Sequence, residues 1–259
     1  MKSTIFTLSL LMFMISMPFT ISGAEIFDPD KLLKEAEELF DAGDEKGALE
    51  VYLKVLDEAP GNYEALWNAS LINSMLGHQL GDHIDEEKQL EYYETAIDFA
   101  DRALKQHTDK GHPYYVKAVA LGRWAELQGT NTRIETSHKI KENIEKAADM
   151  IPDYAPVWHL YGVFHSDVAN VSGAEKFAAN LISEGIPDAS NEKAEEYLKK
   201  AIEMMPESIL FRLDLAKHYL KVDDEESARE VLDEISEMEV TLPNEGQLKD
   251  EAANILEDL

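Results

Sequence analysis

Residues 77–88, GHQLGDHIDEEK, bring together His78, Asp82, His83, Asp85, Glu86 and Glu87, a donor set that divalent metals accept. Two imidazoles share a helix face when they are four positions apart, but these two are five apart. Gly77 and Gly81 mark the stretch as a turn, and an acidic turn in an acidic chain needs no metal. A metal-dependent activity at the His78–Glu87 turn is thus the last of three functional readings, and no metal or cofactor is assigned. His159, His165 and Asp167 are of the residue types used in acid–base chemistry. Asp167 lies two residues beyond His165, which puts it on another side of any helix. No G-x-S-x-G, glycine-rich phosphate loop or H-E-x-x-H accompanies them. The residues point to binding rather than catalysis.

The elements that would position such side chains are helices. Of the 259 residues only 13 are Gly and 9 Pro, which excludes a turn-rich all-β fold. With 52 acidic against 24 basic residues, the net charge of −28 excludes nucleic acid and anionic membrane surfaces as partners. Basic or neutral protein surfaces remain. There is no cysteine, hence no disulfide framework and no thiolate metal site. Residues 1–24 have the form of an export signal. Lys2 precedes an uncharged run from Ile5 to Met17, and Ser22-Gly23-Ala24 supplies small residues before the expected cleavage. Export without disulfides suits a bacterial periplasm, with an uncleaved anchor as the alternative and no stable membrane span after cleavage.

From residue 29 the apolar residues recur every three to four positions. Leu32, Leu33, Ala36, Leu39 and Phe40 form one stripe, and Ala48, Leu49, Tyr52, Val55 and Leu56 the next. Pro60 stops the second helix. Residues 29–62 fit the 34-residue tetratricopeptide (TPR) pattern through Leu32, Ala36, Leu39, Gly43, Ala48, Tyr52, Val55 and Pro60. The pattern returns over 63–110, 112–154, 155–208 and 209–242, and residues 243–259 read as a polar capping helix. IEKAADMIPDYAPVWHLYG (144–162) is then the joint between the third and fourth repeats, and His165 occupies a packed consensus Tyr position. The expected fold is an all-α, right-handed TPR solenoid of about five helix pairs. The middle three pairs carry 14, 9 and 20 extra residues between helix A and helix B. These are either a functional edge or simply longer helices and turns.

Beyond about residue 90 the match is narrower than the generic repeat. It rests on Ala118, Val119, Gly122, Glu126 and Gly129, on the IKENIEKA helix, and on Ser172, Glu175 and Lys176. This part resembles the regulator of microtubule dynamics family. The resemblance implies a helical-repeat fold and an interaction role. Animal members associate with microtubules, but an exported bacterial protein would meet none, so that activity is not carried over here.

In TPR geometry the A helices line a concave groove, at roughly their second, fifth, ninth, twelfth and thirteenth positions. This selects Trp67, Arg123, Trp124, His159, Lys217 and Lys221, with Leu33, Phe40, Leu71, Met75, Val163 and Asp167 among others. Three cations against so negative a chain would orient an acidic or carboxylate-bearing partner. The lysine–asparagine clamp of chaperone-tail binders is missing, since Leu33 and Glu37 stand in its first-repeat places. The expected function is a non-catalytic scaffold or adaptor of the cell envelope that holds a protein or peptide partner in this groove. The alternative is a carrier whose inserted turns close over a small apolar or carboxylate ligand.

Overall fold

The computed structural model of the chain describes residues 27–81, 85–173, 176, 179, 185–242 and 244–259. All its elements among these residues are helical: α1 (Pro29–Asp41), α2 (Glu45–Glu58), α3 (Tyr63–Gln79), α4 (Glu86–Gln106), α5 (His112–Glu126), α6 (Thr130–Met150), α7 (Ala155–Ala169), α8 (Asn191–Met204), α9 (Ile209–Lys221), α10 (Glu225–Glu237) and α11 (Glu245–Asp258). Each odd-numbered helix up to α9 packs antiparallel to its successor, and each pair packs on the next, with α11 closing the end. This is the expected TPR solenoid of five pairs and a cap.

The helix starts are written locally. The side chains of Asp28, Asp44, Asn62, Asp85, Ser190, Ser208 and Asp224 each accept an N–H of the first turn they cap. Each such cap stabilises its helix by about 1 kcal/mol. Asp85 is thereby engaged in the first turn of α4, while Asp82 and His83 of the same acidic turn lie outside the described residues. Among the described residues no three His, Asp or Glu side chains cluster as metal ligands.

The interior is a string of small cores rather than a single one. Leu66, Ile72, Ile144, Val157, Leu198, Ile209, Leu213, Leu232 and Ile235 are among its largest fully buried aliphatic side chains. Small residues set the spacing. A Cβ on Gly162 in α7 would lie 2.9 Å from the Leu198 backbone nitrogen of α8, so only glycine allows this approach. The A-to-B turns of the first and last pairs use a left-handed residue, Gly43 (φ 79°) and Asp223 (φ 60°). In both turns the next N–H reaches back to the helix, from Asp44 to the Leu39 carbonyl and from Asp224 to that of Tyr219, each at 2.9 Å.

The extra residues take two forms. In the second and third pairs they lengthen helices: α4 and α6 each have 21 residues, against 14 in α2 and 13 in α10. In the fourth pair the described residues just before α8, 185–190, are pinned to α6 and α7. His138 Nε2 contacts the Gly185 carbonyl at 3.0 Å, Lys141 Nζ donates to the Asp188 carbonyl at 2.9 Å, and Ser190 N–H donates to His165 Nδ1 at 3.1 Å.

Candidate functional site

The face expected to be concave is that of the A helices α1, α3, α5, α7 and α9, of which α3 packs on α5 and α7 on α9. Its C-terminal half is a cross-linked polar cluster. His159 of α7 donates from Nε2 to Asp214 Oδ2 of α9 at 2.8 Å, and its ring stacks on Phe211 with centroids 4.4 Å apart. Lys217 lies 3.8 Å from Asp214 Oδ1 and 2.8 Å from Glu251 Oε1 of α11. Lys221 Nζ pairs with Asp167 Oδ1 of α7, and Arg123 of α5 with Glu126 at 3.5 Å. Burial pushes the Asp214 carboxyl up. The His159 hydrogen bond and the charges of His159, Lys217 and Arg123 outweigh this and hold it below the usual carboxylate range.

Each of the three sequence-selected cations therefore has a carboxylate partner. A half-exposed pair of this kind is worth about 0–1 kcal/mol, enough to orient the side chains and little more. The two tryptophans are placed differently. Trp67 stacks on His112 of α5 at 4.8 Å and 25°, while Tyr63 Oη hydrogen-bonds to His112 Nδ1 at 2.8 Å and Tyr154 meets the same ring edge-on. Trp124 is half-buried against the cluster that contains Ile140, Ile144, Tyr161 and Phe164. Both tryptophans hold repeat junctions, so the groove offers their remaining surface only. In the joint at 144–162, Trp158 donates to the Pro152 carbonyl at 2.7 Å and lies beneath the Lys200 ammonium.

His165 is fully buried, as its consensus position requires. Its Nδ1 accepts from Ser190, its Nε2 has no hydrogen-bond partner, and Tyr161, Phe164 and Tyr197 surround it. Burial, with Lys193 and Lys141 nearby, pushes it down to about 4 despite Asp188. A neutral, fully enclosed ring surrounded by aromatics is a packing residue. Groove spacing selected neither Asp214 nor Glu251. Asp214 is one position beyond Leu213, a groove position, and Glu251 belongs to the cap, so their signal emerges only once α7, α9 and α11 converge. Two shallow surface depressions lie along α4 (Glu87, Leu90, Glu91, Glu94, Asp98 and Phe99) and α10 (Glu225, Glu226, Arg229, Glu230 and Asp233).

Comparison with known proteins gives the same architecture. A thermophilic TPR protein from Thermus thermophilus superposes with a TM-score of 0.65 at 19% identity, covering 88% of this chain and 99% of that one. Regulator of microtubule dynamics protein 1 of Mus musculus is 27% identical over 233 residues, 89% of this chain and 74% of the mouse protein. The Bos taurus protein of the same name is 25% identical over 238 residues, 91% and 73% of the two chains. These matches correct two expectations. The likeness reaches into the N-terminal third, which had read as generic repeat alone. The bacterial periplasmic location is also overturned, because the relatives are animal regulators of microtubule dynamics rather than periplasmic proteins. With it falls the argument that a microtubule could not be met. The proposed leader, residues 1–24, lies outside the described residues, and no described helix is long and apolar enough to cross a membrane. Residues 32–259 match the family described as regulator of microtubule dynamics protein 1-3, and the chain belongs to that family.

Proposed function

We propose that the chain is a non-catalytic scaffold that captures a segment of a partner protein on the concave face of its A helices. The observation that carries this reading is the convergence of α5, α7 and α9 on one polar cluster. Arg123, His159, Asp214 and Lys217 there present ordered donors and acceptors on three successive A helices. Groups already held in place lose little conformational entropy when a partner docks. His159 and Asp214 are engaged with each other and with neighbouring charges, an arrangement suited to recognition.

The relatives are named as regulators of microtubule dynamics, which makes polymerised tubulin the first partner to test. Co-sedimentation should carry the chain into the pellet with the polymer, and Arg123→Glu with Lys217→Glu should return it to the supernatant. A parent chain that stays in the supernatant overturns tubulin as the partner. Unchanged pelleting of the double variant, with its helical circular dichroism intact, overturns the groove.

A further inference from the structure

Residues 185–190 lead into α8, and a histidine ties each end of this segment. At one end the Gly185 carbonyl lies 3.0 Å from His138 Nε2 of α6. At the other end Ser190 donates its N–H to His165 Nδ1 of α7 at 3.1 Å, while its hydroxyl accepts the Lys193 N–H and caps α8. The two ties respond to acid in opposite ways. A carbonyl only accepts, so His138 donates from Nε2, and a second proton on its Nδ1 leaves that bond in place. His165 accepts on Nδ1, the site that a second proton would occupy, so charging its ring breaks the bond to Ser190.

The enclosure of His165 gives a charged ring no other accommodation. The ring is fully buried, and its Nε2 has no hydrogen-bond partner among the described residues. Tyr161 and Phe164 of α7 and Tyr197 of α8 pack around it. Lys193 of α8 and Lys141 of α6 oppose a positive ring, Asp188 of the segment favours one, and burial opposes it most. Two more titratable groups stand one contact away. Glu145 of α6 accepts the Tyr161 hydroxyl at 3.1 Å and lies 3.9 Å from Lys141. His218 of α9 has its Nδ1 3.0 Å from the hydroxyl of Ser166, the residue after His165. Past Ser190 the chain is held differently: Asn170 Nδ2 donates to Asn191 Oδ1 at 2.7 Å, a bond between groups that do not titrate. Between the two ends the segment has the exposed bond from Lys141 to the Asp188 carbonyl.

We infer that His165 is the trigger of an acid-sensitive latch: a proton on its Nδ1 expels the Ser190 N–H and frees residues 186–190 from α7, between anchors at Gly185 and Asn191, while the helix pairs stay folded. The latch does not depend on what the concave face captures. Its sign follows from the surroundings of the ring. In the closed segment the ring is held at about 4, against 6.5 for an ordinary histidine, so closure is complete above pH 6.5 and weakens as pH falls toward 4. Between pH 7.5 and 4.5 the open fraction rises about seventyfold.

Amide hydrogen exchange of the full chain, followed by NMR and corrected for intrinsic rates, reads this opening. The Ser190 amide should lose protection about seventyfold between pH 7.5 and 4.5. Its exchange should not respond to urea below the unfolding range, as befits a local opening. The Leu198 amide, inside α8, should exchange more slowly and with the urea dependence of unfolding. His165→Gln, whose neutral amide oxygen can take the Ser190 N–H, should remove the pH dependence at Ser190, and His138→Gln should keep it. The side-chain nitrogen spectrum of the parent needs no variant: His165 should carry its proton on Nε2 at neutral pH and titrate well below 6.5. Ser190 protection that ignores pH, Ser190 and Leu198 exchanging together with one urea dependence, an unchanged pH dependence in folded His165→Gln, or a His165 that titrates near 6.5 overturns the latch. If His165→Gln does not fold, Ser190 exchange and the His165 titration in the parent decide the matter.

Discussion

Acid should destabilise this protein through His165, by an amount that its surroundings set. The neutral ring accepts the Ser190 N–H on Nδ1, so its proton sits on Nε2, and charging it would place a second donor against that N–H. Burial, Lys193 and Lys141 hold it at about 4, against 6.5 for an ordinary histidine. Because the folded value is depressed, the unfolded chain binds the proton more tightly. Stability is complete above pH 6.5 and falls as pH drops from there toward 4. Between pH 7.5 and 4.5 the linkage amounts to about 2.5 kcal/mol. Burial likewise lowers His112 and His218, and Asp214 and Glu245 are also lowered, while Glu64 is raised. A pH scan of the parent alone therefore sums several groups. The informative quantity is the difference between parent and His165→Phe, in which those groups cancel. Urea unfolding at pH 7.5 and 4.5 should show the variant losing about 2.5 kcal/mol less on acidification. At neutral pH the variant should itself be weaker by about 1–3 kcal/mol, since the Ser190 N–H loses its acceptor. Equal acid sensitivity in the two proteins would refute the reasoning, and would mean that His165 is not held neutral by its enclosure.

Two further substitutions probe the fold. Gly162→Ala places a methyl group 2.9 Å from the Leu198 nitrogen and should cost about 1–3 kcal/mol, read as a lower urea midpoint at constant slope. Glu245→Ala removes a buried carboxylate oxygen that accepts the Thr241 and Leu242 N–H groups and the Thr241 hydroxyl at 2.8, 2.9 and 3.0 Å. It should destabilise the cap by about 2 kcal/mol and speed hydrogen exchange in α11 ahead of α7.

The helical nature of the chain was legible in its apolar period, and the joints in its prolines and capping residues. Leu32, Ala36, Leu39 and Ala48 recur at spacings that only paired helices satisfy, and Asp28, Asp44 and Asn62 sit where first-turn N–H groups need acceptors. These signals are local, so one segment carries each of them. His165 was legible as a core residue for the same reason, since its place in a repeat fixes which way it points. The extra residues between helices were only half legible. Counting located them, but not that α4 and α6 would absorb two of the three by lengthening, because helix extension and loop insertion occupy the same number of positions.

The cellular location was misread. A charged start and an apolar run describe a segment's composition, while the relationship that corrected it is spread over residues 32–259.

The sequence by itself determined the repeat, its small-residue contacts and the family, since these follow from periodicity and local sterics. Only the tertiary structure decided the state of the groove's charges. Lys217 meets Glu251, Lys221 meets Asp167 and His159 meets Asp214 across separations of 34, 54 and 55 positions, which no local pattern encodes. Charge interactions depend on distance in space, and in a solenoid that distance is set by how successive pairs stack.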